Sequence, residues 1–214
     1  MFIVFEGPEG AGKTTQIGQL QAHLTAAGYD VVVTREPGGT PLGERLREIL
    51  LNDADAPGPV AEAYLMTAAR AEHVRRVIKP ALERGAIVLC DRFSDSTLAY
   101  QGAGRGIPIE ALRDLQTLAL DGCEPDLKLL LDVDVEAGLA RRQRDGETNR
   151  MDREALDFHQ RVAAWYRAEA AARPDVWQIV DASRGEAEVA AQIRQIVSAR
   201  IGEGEDARMA GLTR

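Results

Sequence analysis

The sequence predicts an α/β fold, a parallel sheet of five strands flanked by helices on both faces. Short apolar runs recur along the 214 residues, and stretches with helical periodicity separate them. Runs of this kind are typical of strands buried on both faces of a parallel sheet. Charged residues directly follow several runs, as at Asp91, Asp132 and Asp181. Because ligands bind beyond the carboxyl ends of such strands, we expect the functional site there.

The strands and helices alternate in the order that this fold requires. The predicted strands are Phe2–Phe5, Val31–Val33, Ala86–Cys90, Leu127–Leu131 and Val176–Val180. The predicted helices cover about Lys13–Ala27, Leu42–Leu51, Val60–Glu83, Ser94–Gln101, Ile109–Leu120, a stretch after Arg153 through about Ala172, and Glu186–Arg200. Gly28 and Gly85 close helices, residues 53–59 form a polar break that contains proline, and residues 102–106 form a glycine-rich turn.

Length and composition favour one globular domain, with 45% hydrophobic and 28% charged residues and no internal repeat. We assign residues 1–201 to this domain and expect the small, charged and patternless residues 202–214 to be disordered. A net charge of −8 argues against nucleic acid or an anionic membrane as a partner. No apolar run approaches the ~20 residues of a membrane helix. A strand that begins at Phe2 leaves no room for a signal peptide, so we expect a cytoplasmic protein.

The most specific motif lies between the first strand and the first helix. It reads Gly7-Pro8-Glu9-Gly10-Ala11-Gly12-Lys13-Thr14, the pattern of a P-loop. In this context the backbone N–H groups of the turn and the positive end of the helix dipole bind phosphate oxygens. Lys13 is expected to reach the β- and γ-phosphates, and Thr14 to hold Mg²⁺. The motif therefore predicts a nucleoside triphosphate with Mg²⁺.

Other residues narrow the class of P-loop protein. The nearest match to the guanine-binding motif of GTPases, Asn149-Arg150-Met151-Asp152, lacks the lysine of that motif, which argues against a GTPase. Asp91 is followed by Arg92, which suits a second anion better than the activation of water. Two polyanions repel each other unless fixed positive groups offset the repulsion. Candidate groups are Arg35, Arg70, Arg92, Arg105, Arg141, Arg142, Arg144 and Arg150. This pattern favours a kinase that acts on a phosphorylated acceptor.

Several motifs, taken together, resemble those of bacterial thymidylate kinase over residues 2–200. They are the acidic residue Glu9 in the P-loop, Thr34-Arg35-Glu36-Pro37-Gly38-Gly39-Thr40, Ala68-Ala69-Arg70, and Asp91-Arg92-Phe93-x-x-Ser96-Thr97-x-Ala99-Tyr100-Gln101-Gly102. The resemblance implies a fold like that of P-loop nucleoside monophosphate kinases and a homodimer. It also implies transfer of the γ-phosphate of ATP to dTMP, which gives dTDP and ADP in the route to dTTP.

The resemblance and the residues together suggest how ATP is held. The expected ATP-binding residues are Gly7, Pro8, Glu9, Gly10, Ala11, Gly12, Lys13, Thr14, Thr15 and Arg141, the last beside adenine. Thr14 and Asp91 are the expected Mg²⁺ residues, with Asp132 as a rival carboxylate. Residues 141–153 form the expected lid, which closes to exclude water. Arg144 and Arg150 are its candidate catalytic residues, together with Lys13 and Arg92.

The resemblance also implies how dTMP is held, by Glu9, Met66, Arg70, Arg92, Thr97, Tyr100 and Gln101. It implies that Glu9 accepts a hydrogen bond from the 3′-hydroxyl and that Arg92 binds the monophosphate. Arg70 and Thr97 then contact the base edge, Met66 covers the base, and Tyr100 occupies the space of a ribose 2′-hydroxyl. Alternatives remain for three of these side chains. Glu9 could face solvent, Arg92 could pair with a neighbouring carboxylate, and Met66 could belong to the core.

Two other functions fit parts of the pattern. One is a kinase for another nucleoside monophosphate or for a deoxynucleoside, which a comparison of acceptors would distinguish. The other is a P-loop ATPase that switches its binding to a protein partner, which would hydrolyse ATP slowly without any acceptor. ATP consumption that depends on dTMP would exclude this second function.

Overall fold

The computed structural model describes residues 1–51, 56–144, 146 and 149–209. Its sheet has five strands in the order β2-β3-β1-β4-β5, and every pairing is parallel. The strands are β1 (Phe2–Glu6), β2 (Val31–Arg35), β3 (Ile87–Asp91), β4 (Leu127–Asp132) and β5 (Trp177–Asp181). The predicted fold class is therefore confirmed, and most of the strands extend by one or two residues at their carboxyl ends.

The core lies on both faces of the central strand β1. Ile3 and Phe5 pack on one face with apolar residues of the first and last helices. Phe2 and Val4 pack on the opposite face with Val74 and other apolar residues. Since successive side chains of a strand point to opposite faces, one continuous apolar run supplies both layers.

The helices cover the sheet in the expected alternation. They are α1 (Lys13–Ala26), α2 (Pro41–Leu51), α3 (Pro59–His73), α4 (Lys79–Glu83), α5 (Ser94–Thr97), α6 (Ile109–Leu120), α7 (Val135–Arg144), α8 (Leu156–Ala172) and α9 (Glu186–Met209). A π-helical segment, Val74–Ile78, joins α3 to α4, so the predicted stretch from Val60 to Glu83 is helical throughout. No helix in the described ranges is both long and apolar enough to span a bilayer.

The glycine-rich turn predicted at residues 102–106 is wrong in its first part. A π-helix covers Leu98–Gly104, and the N–H of Arg105 donates to the carbonyl of Tyr100 at 3.0 Å. A Cβ on Gly104 would lie 2.4 Å from the ring of Phe158. The glycine therefore permits close packing of this helix on α8, where composition alone suggested a turn.

Two further differences concern the basic segment and the C-terminus. Helix α7 was not predicted, and Arg141 and Arg144 lie in its last turn. Its first turn is stabilised by Asp134, whose carboxylate accepts the N–H of Ala137 at 3.0 Å. Helix α9 continues to Met209, so residues 202–209 are helical where disorder was expected. Residues 210–214, 52–55 and Asp145 lie outside the described ranges.

Candidate active site

The carboxyl ends of the strands open onto a cleft of about 1500 Å³. Its walls come from the P-loop, the ends of β2 and β3, helix α3, the π-helix at 98–104 and the segment around α7. The volume is ample for two nucleotides, because ligand pockets usually measure roughly 300–1,000 Å³. The predicted position of the site therefore coincides with this cleft.

The P-loop is fixed by close contacts with β4 and α7. Gly7 has φ +136°, and a Cβ there would lie 2.4 Å from the carbonyl oxygen of Leu131. Gly10 has φ +68°, and its Cβ would lie 1.9 Å from the carbonyl oxygen of Gly138. Both positions therefore require glycine for conformation and for space. Helix α7, which was not predicted, therefore packs directly against the phosphate-binding turn.

The remaining loop residues present backbone and hydroxyl groups to the cleft. Gly10, Ala11, Gly12, Lys13, Thr14 and Thr15 line it. Helix α1 begins after Gly12 without a side-chain hydrogen bond at its N-cap. Its first N–H groups are consequently available for an anion.

Lys13 folds back over the loop. Its ammonium group donates to the carbonyl of Pro8 at 2.9 Å and to that of Gly7 at 3.1 Å. Burial and the neighbouring positive charge of Arg92 lower the pKa of Lys13 from 10.5 to about 8. A bound phosphate would oppose both effects and favour the charged form.

Thr14 and Asp91 form the arrangement predicted for Mg²⁺. The Thr14 hydroxyl donates to Asp91 Oδ2 at 3.4 Å. Asp91 Oδ1 is buried and has no hydrogen-bond partner among the described residues. A carboxylate oxygen, a hydroxyl and triphosphate oxygens are the ligands that Mg²⁺ prefers, so these residues fit the ion. The rival carboxylate Asp132 instead accepts two hydrogen bonds from Arg167, at 2.9 and 3.0 Å.

Arg92 lies where the P-loop meets the other half of the cleft. Its guanidinium donates to Glu9 Oε1 at 2.9 Å and to the carbonyl of Gly7 at 3.0 Å. The guanidinium carbon also lies 4.9 Å from the ring centroid of Tyr100. The ion pair weighed as an alternative for Arg92 is therefore present, and its partner is the P-loop carboxylate itself.

Glu9 does not face bulk solvent. Its side chain is 16% exposed, and its Oε1 also accepts the Tyr100 hydroxyl at 2.8 Å. Burial alone would raise the pKa of Glu9, but Arg92, Lys13 and the Tyr100 hydroxyl outweigh burial and lower the pKa to about 2. Burial raises the pKa of Tyr100 well above its ordinary value, so the tyrosine acts as the donor of this bond.

A strained turn holds Arg92 in place. Arg92 has φ +68°, a left-handed conformation that costs a non-glycine residue roughly 1–3 kcal/mol. The buried carboxylate of Glu6 accepts the N–H of Phe93 at 2.9 Å and the hydroxyl of Ser96 at 2.7 Å. Tyr166 donates to the same carboxylate at 2.7 Å. Glu6 therefore stabilises the turn that directs Arg92 toward the P-loop.

The structure brings Arg70 and Thr97 together, but away from open solvent. Both are fully buried, and Arg70 donates to the Thr97 hydroxyl at 3.1 Å. Its other hydrogen bonds go to Glu36 at 2.8 Å, to the carbonyl of Phe93 at 3.0 Å and to Gln116. The pair predicted to contact the base edge is thus part of a buried polar network behind the cleft surface.

Met66, Tyr100 and Gln101 line the cleft directly. Met66 is half-buried, so it belongs to the cleft wall and not to the buried core. Gln101 is 2% exposed, and its amide nitrogen donates to Glu62 Oε1 at 2.6 Å. These residues form the wall opposite the P-loop.

The basic segment divides into side chains with different partners. Arg141 lines the cleft and donates to the carbonyl of Ala182 at 3.1 Å, near the end of β5. Arg144 lines the cleft, is exposed, and donates to the carbonyl of Ala140 in its own helix at 3.3 Å. Arg150 instead pairs with Glu62 and donates to the carbonyl of Leu50 at 3.1 Å. The two predicted catalytic arginines are therefore not equivalent.

Besides Glu6, two further buried carboxylates organise this site without having been predicted from the sequence as site residues. The Glu36 carboxylate lies between Arg70, which donates to its Oε2, and His73, whose Nδ1 lies 2.9 Å from its Oε1. The Glu62 carboxylate accepts a hydrogen bond from Gln101 and forms ion pairs with Arg105 and Arg150. Glu62 stands four residues before Met66 on α3, and this helical spacing could have placed it on the same face as the predicted base-binding residues.

The chain is similar to known proteins in both sequence and structure. A family model described as thymidylate kinase matches residues 5–193. The thymidylate kinase of Thermomicrobium roseum is 61% identical over 183 residues, which are 85% of this chain and 87% of that protein. The thymidylate kinase of Deinococcus radiodurans is 50% identical over 189 residues, which are 88% of this chain and 92% of that protein. The crystal structure of thymidylate kinase from Ehrlichia chaffeensis has a TM-score of 0.77 at 33% identity, and the match covers 92% of this chain and 98% of that chain.

Proposed function

This chain belongs to the thymidylate kinase family and phosphorylates dTMP with ATP, and we propose which of its residues bind the donor, bind the acceptor and promote the transfer. The transfer is direct and in line, and gives dTDP and ADP. No nucleophilic side chain and no catalytic base is required, since the acceptor phosphate is already anionic. The family match does not favour another acceptor or an ATPase switch.

The position of Arg92 carries this proposal. It is in contact with the P-loop carbonyl of Gly7 and with the Glu9 carboxylate, so it lies between the donor phosphates and the acceptor side. Arg92 binds the monophosphate of dTMP and orients it toward the γ-phosphate, while its positive charge offsets the repulsion between the two anions.

The donor is held by the P-loop. The N–H groups from Glu9 to Thr15 and the Lys13 ammonium bind the ATP phosphates, and Arg141 lies beside adenine. Thr14 and Asp91 hold Mg²⁺, which neutralises charge on the phosphate oxygens when it is bound. The unpartnered oxygen Asp91 Oδ1 supports this assignment over Asp132.

Residues 141–153 act as the lid, and its two predicted catalytic arginines have different roles. Arg144 is exposed beside the donor half of the cleft, which leaves it able to reach the transferred phosphoryl group. Arg150 is 13% exposed and committed to Glu62 and Leu50. We therefore assign the catalytic role to Arg144 and give Arg150 a structural role in anchoring the lid to α2 and α3.

The acceptor is held between Glu9 of the P-loop and the opposite wall of the cleft, which Met66, Tyr100 and Gln101 form. Glu9 accepts a hydrogen bond from the 3′-hydroxyl, and Tyr100 occupies the space in which a ribose 2′-hydroxyl would lie. Met66 covers the base through its thioether side chain. Gln101 hydrogen-bonds the base edge, whereas the fully buried pair Arg70 and Thr97, which was predicted to contact that edge, lies behind the cleft surface.

We also propose a cytoplasmic homodimer. Val60 and Tyr64 on α3 are each 60% exposed, and Leu118 on the adjacent helix α6 is 92% exposed. Large apolar side chains in this arrangement suit a self-associating surface. Light scattering on the purified chain would give the expected mass of two copies, and a single-copy mass at micromolar concentration would contradict it.

The experiment that tests the proposal replaces Arg92 with alanine. ATP consumption by the unaltered chain should depend on dTMP. Arg92→Ala should lower kcat/KM for dTMP by about 100-fold or more, while the KM for ATP changes little. Arg76→Ala, which removes an exposed arginine paired with Glu72 outside the cleft, is the matched control. Equal dTMP kinetics in Arg92→Ala and Arg76→Ala would reject the assignment.

A further inference from the structure

We propose that Glu62 is a positioning residue that fixes the amide of Gln101, so that the oxygen and not the nitrogen of this amide is offered to the acceptor base. The inference rests on the proposed function, because it places Gln101 in the acceptor site. It adds a residue that the sequence analysis did not assign, and it predicts which bases the site rejects.

The contact that carries the inference is short and buried. Gln101 Nε2 donates to Glu62 Oε1 at 2.6 Å. The Glu62 side chain is 3% exposed, and Gln101 is 2% exposed. Gln101 Oε1 is buried without a hydrogen-bond partner among the described residues, and Gln101 lines the cleft. One end of the amide is therefore committed to Glu62, and the other end is a buried acceptor without a partner in the described part of the chain, in a residue that lines the cleft.

The chemistry of the two groups fixes the direction of the amide. A carboxylate only accepts hydrogen bonds, whereas an amide has a donor end and an acceptor end. If the Gln101 amide were reversed, its oxygen would face the Glu62 carboxylate, and both would lose hydrogen bonds in a buried place. An unsatisfied buried group of this kind costs roughly 1–3 kcal/mol. Glu62 therefore selects a single orientation.

Two arginines make it possible to bury this carboxylate. Arg105 Nε lies 3.3 Å from Glu62 Oε1, and Arg150 pairs with Glu62 Oε2. Arg105 is itself paired with Glu154 at 2.7 Å. Because a buried charge is tolerated only when it is paired, these contacts hold Glu62 beside Gln101.

An acceptor oxygen selects bases that carry an N–H group on the facing edge. Thymine has a hydrogen on ring nitrogen N3, so it satisfies the Gln101 oxygen. Cytosine has an unprotonated N3, which would leave two acceptors facing each other. A site built to bind a donor rejects analogues that lack it much more strongly than a purely apolar pocket does. Glu62 thereby contributes to the rejection of dCMP without touching the base.

The test uses Glu62→Gln and Glu62→Asp in the full chain. Glutamine at this position can donate or accept, so it no longer selects one orientation of the Gln101 amide. Aspartate keeps the charge that Arg105 and Arg150 require, but withdraws the carboxylate from Gln101. In both variants we expect the ratio of kcat/KM for dTMP to that for dCMP to fall by about 10-fold, mainly through the KM for dTMP, with the KM for ATP unchanged.

Two controls separate positioning from a general structural effect. Glu72→Gln, which alters a half-buried carboxylate on the same helix that pairs with Arg75 and Arg76, should leave the ratio unchanged. In a Gln101→Leu background, Glu62→Asp should cause no further loss of the ratio, because the amide that it orients is gone. An unchanged ratio in Glu62→Asp, or an equal loss in the Gln101→Leu background, overturns the inference. Failure of the proposed function would instead appear in the unaltered chain, as ATP consumption that does not depend on dTMP.

Discussion

The donor and acceptor halves of the cleft are built in opposite ways. The donor half is centred on one continuous stretch, Gly10 to Thr15, in which Thr14 and Thr15 are exposed and the helix start carries no side-chain cap. The acceptor half joins residues from distant parts of the chain, such as Glu9 with Arg92 and Glu62 with Gln101. Apart from the amide oxygen of Gln101, the polar groups of these residues are already paired and largely buried.

This difference indicates that the two substrates are recognised by different means. We propose that backbone N–H groups and cationic side chains bind the triphosphate, whose charge is the same for every nucleoside triphosphate. The acceptor side instead selects one base and one sugar, and fixed, buried hydrogen bonds provide such selectivity. Variants in the donor half should therefore lower the rate of transfer, whereas variants in the acceptor half should change stability and the choice of acceptor.

The largest effect is expected for Arg144, to which we assign the catalytic role in the proposed lid. Arg144→Ala should reduce kcat by about 1,000-fold, because it removes a positive charge from the transferred group. Arg150→Ala is the matched variant, and since Arg150 is committed to Glu62 we expect at most about a 10-fold loss. Single-turnover measurements with saturating substrates distinguish the two. A larger loss for Arg150→Ala would reverse their roles.

The second effect concerns the packing of the P-loop against α7. In Gly10→Ala the new Cβ would meet the Gly138 carbonyl at 1.9 Å, so the loop or α7 must move. We expect a loss of about 100-fold in kcat/KM for ATP, since small displacements of phosphate-binding groups are costly. Gly28→Ala has a similarly positive φ but meets nothing within 4 Å, and should retain its activity. Similar kinetics for both variants would show that the contact with α7 is unimportant.

The third effect tests the preformed acceptor network. Arg70→Lys keeps the charge but cannot reproduce the hydrogen bonds to Glu36, Thr97 and Phe93. We expect the free energy of unfolding to fall by about 2–4 kcal/mol and the KM for dTMP to rise about 10-fold. Arg75→Lys, an exposed arginine paired with Glu72, is the control. Chemical denaturation measures the first quantity and steady-state kinetics the second.

The smallest effect is a pH dependence of stability. The pKa of Glu9 is about 2 in the folded chain, below the ordinary 4.5, so its carboxylate stabilises the fold above about pH 4.5. This contribution is lost as the pH falls toward 2. Glu9→Gln should therefore lower the free energy of unfolding by about 2–3 kcal/mol at pH 6, and the difference from the unaltered chain should shrink on acidification. A difference that stays constant with pH would contradict the assigned ion pair.

Much of the fold and part of the site could be predicted because their signals are local. Apolar runs such as Phe2–Phe5 revealed the strands, and the spacing of Gly7, Gly12 and Lys13 revealed the phosphate loop. Helix α7 was missed because its basic last turn was interpreted as the start of a lid. The continuation of the helix through residues 102–104 was missed because Gly104 is required by packing on Phe158, which lies far along the chain.

The sequence by itself determined the sheet and the position of the cleft, and it predicted the chemistry of the donor half. Those features depend on backbone conformation and on residues that are neighbours in the chain. Only the tertiary structure decided the partners of the charged residues: Arg92 with Glu9, Arg70 with Glu36, and Glu62 with Gln101 and Arg150. A charge in a sequence carries no record of its partner, since the pairing depends on which distant segments the packed sheet and helices bring within hydrogen-bond distance.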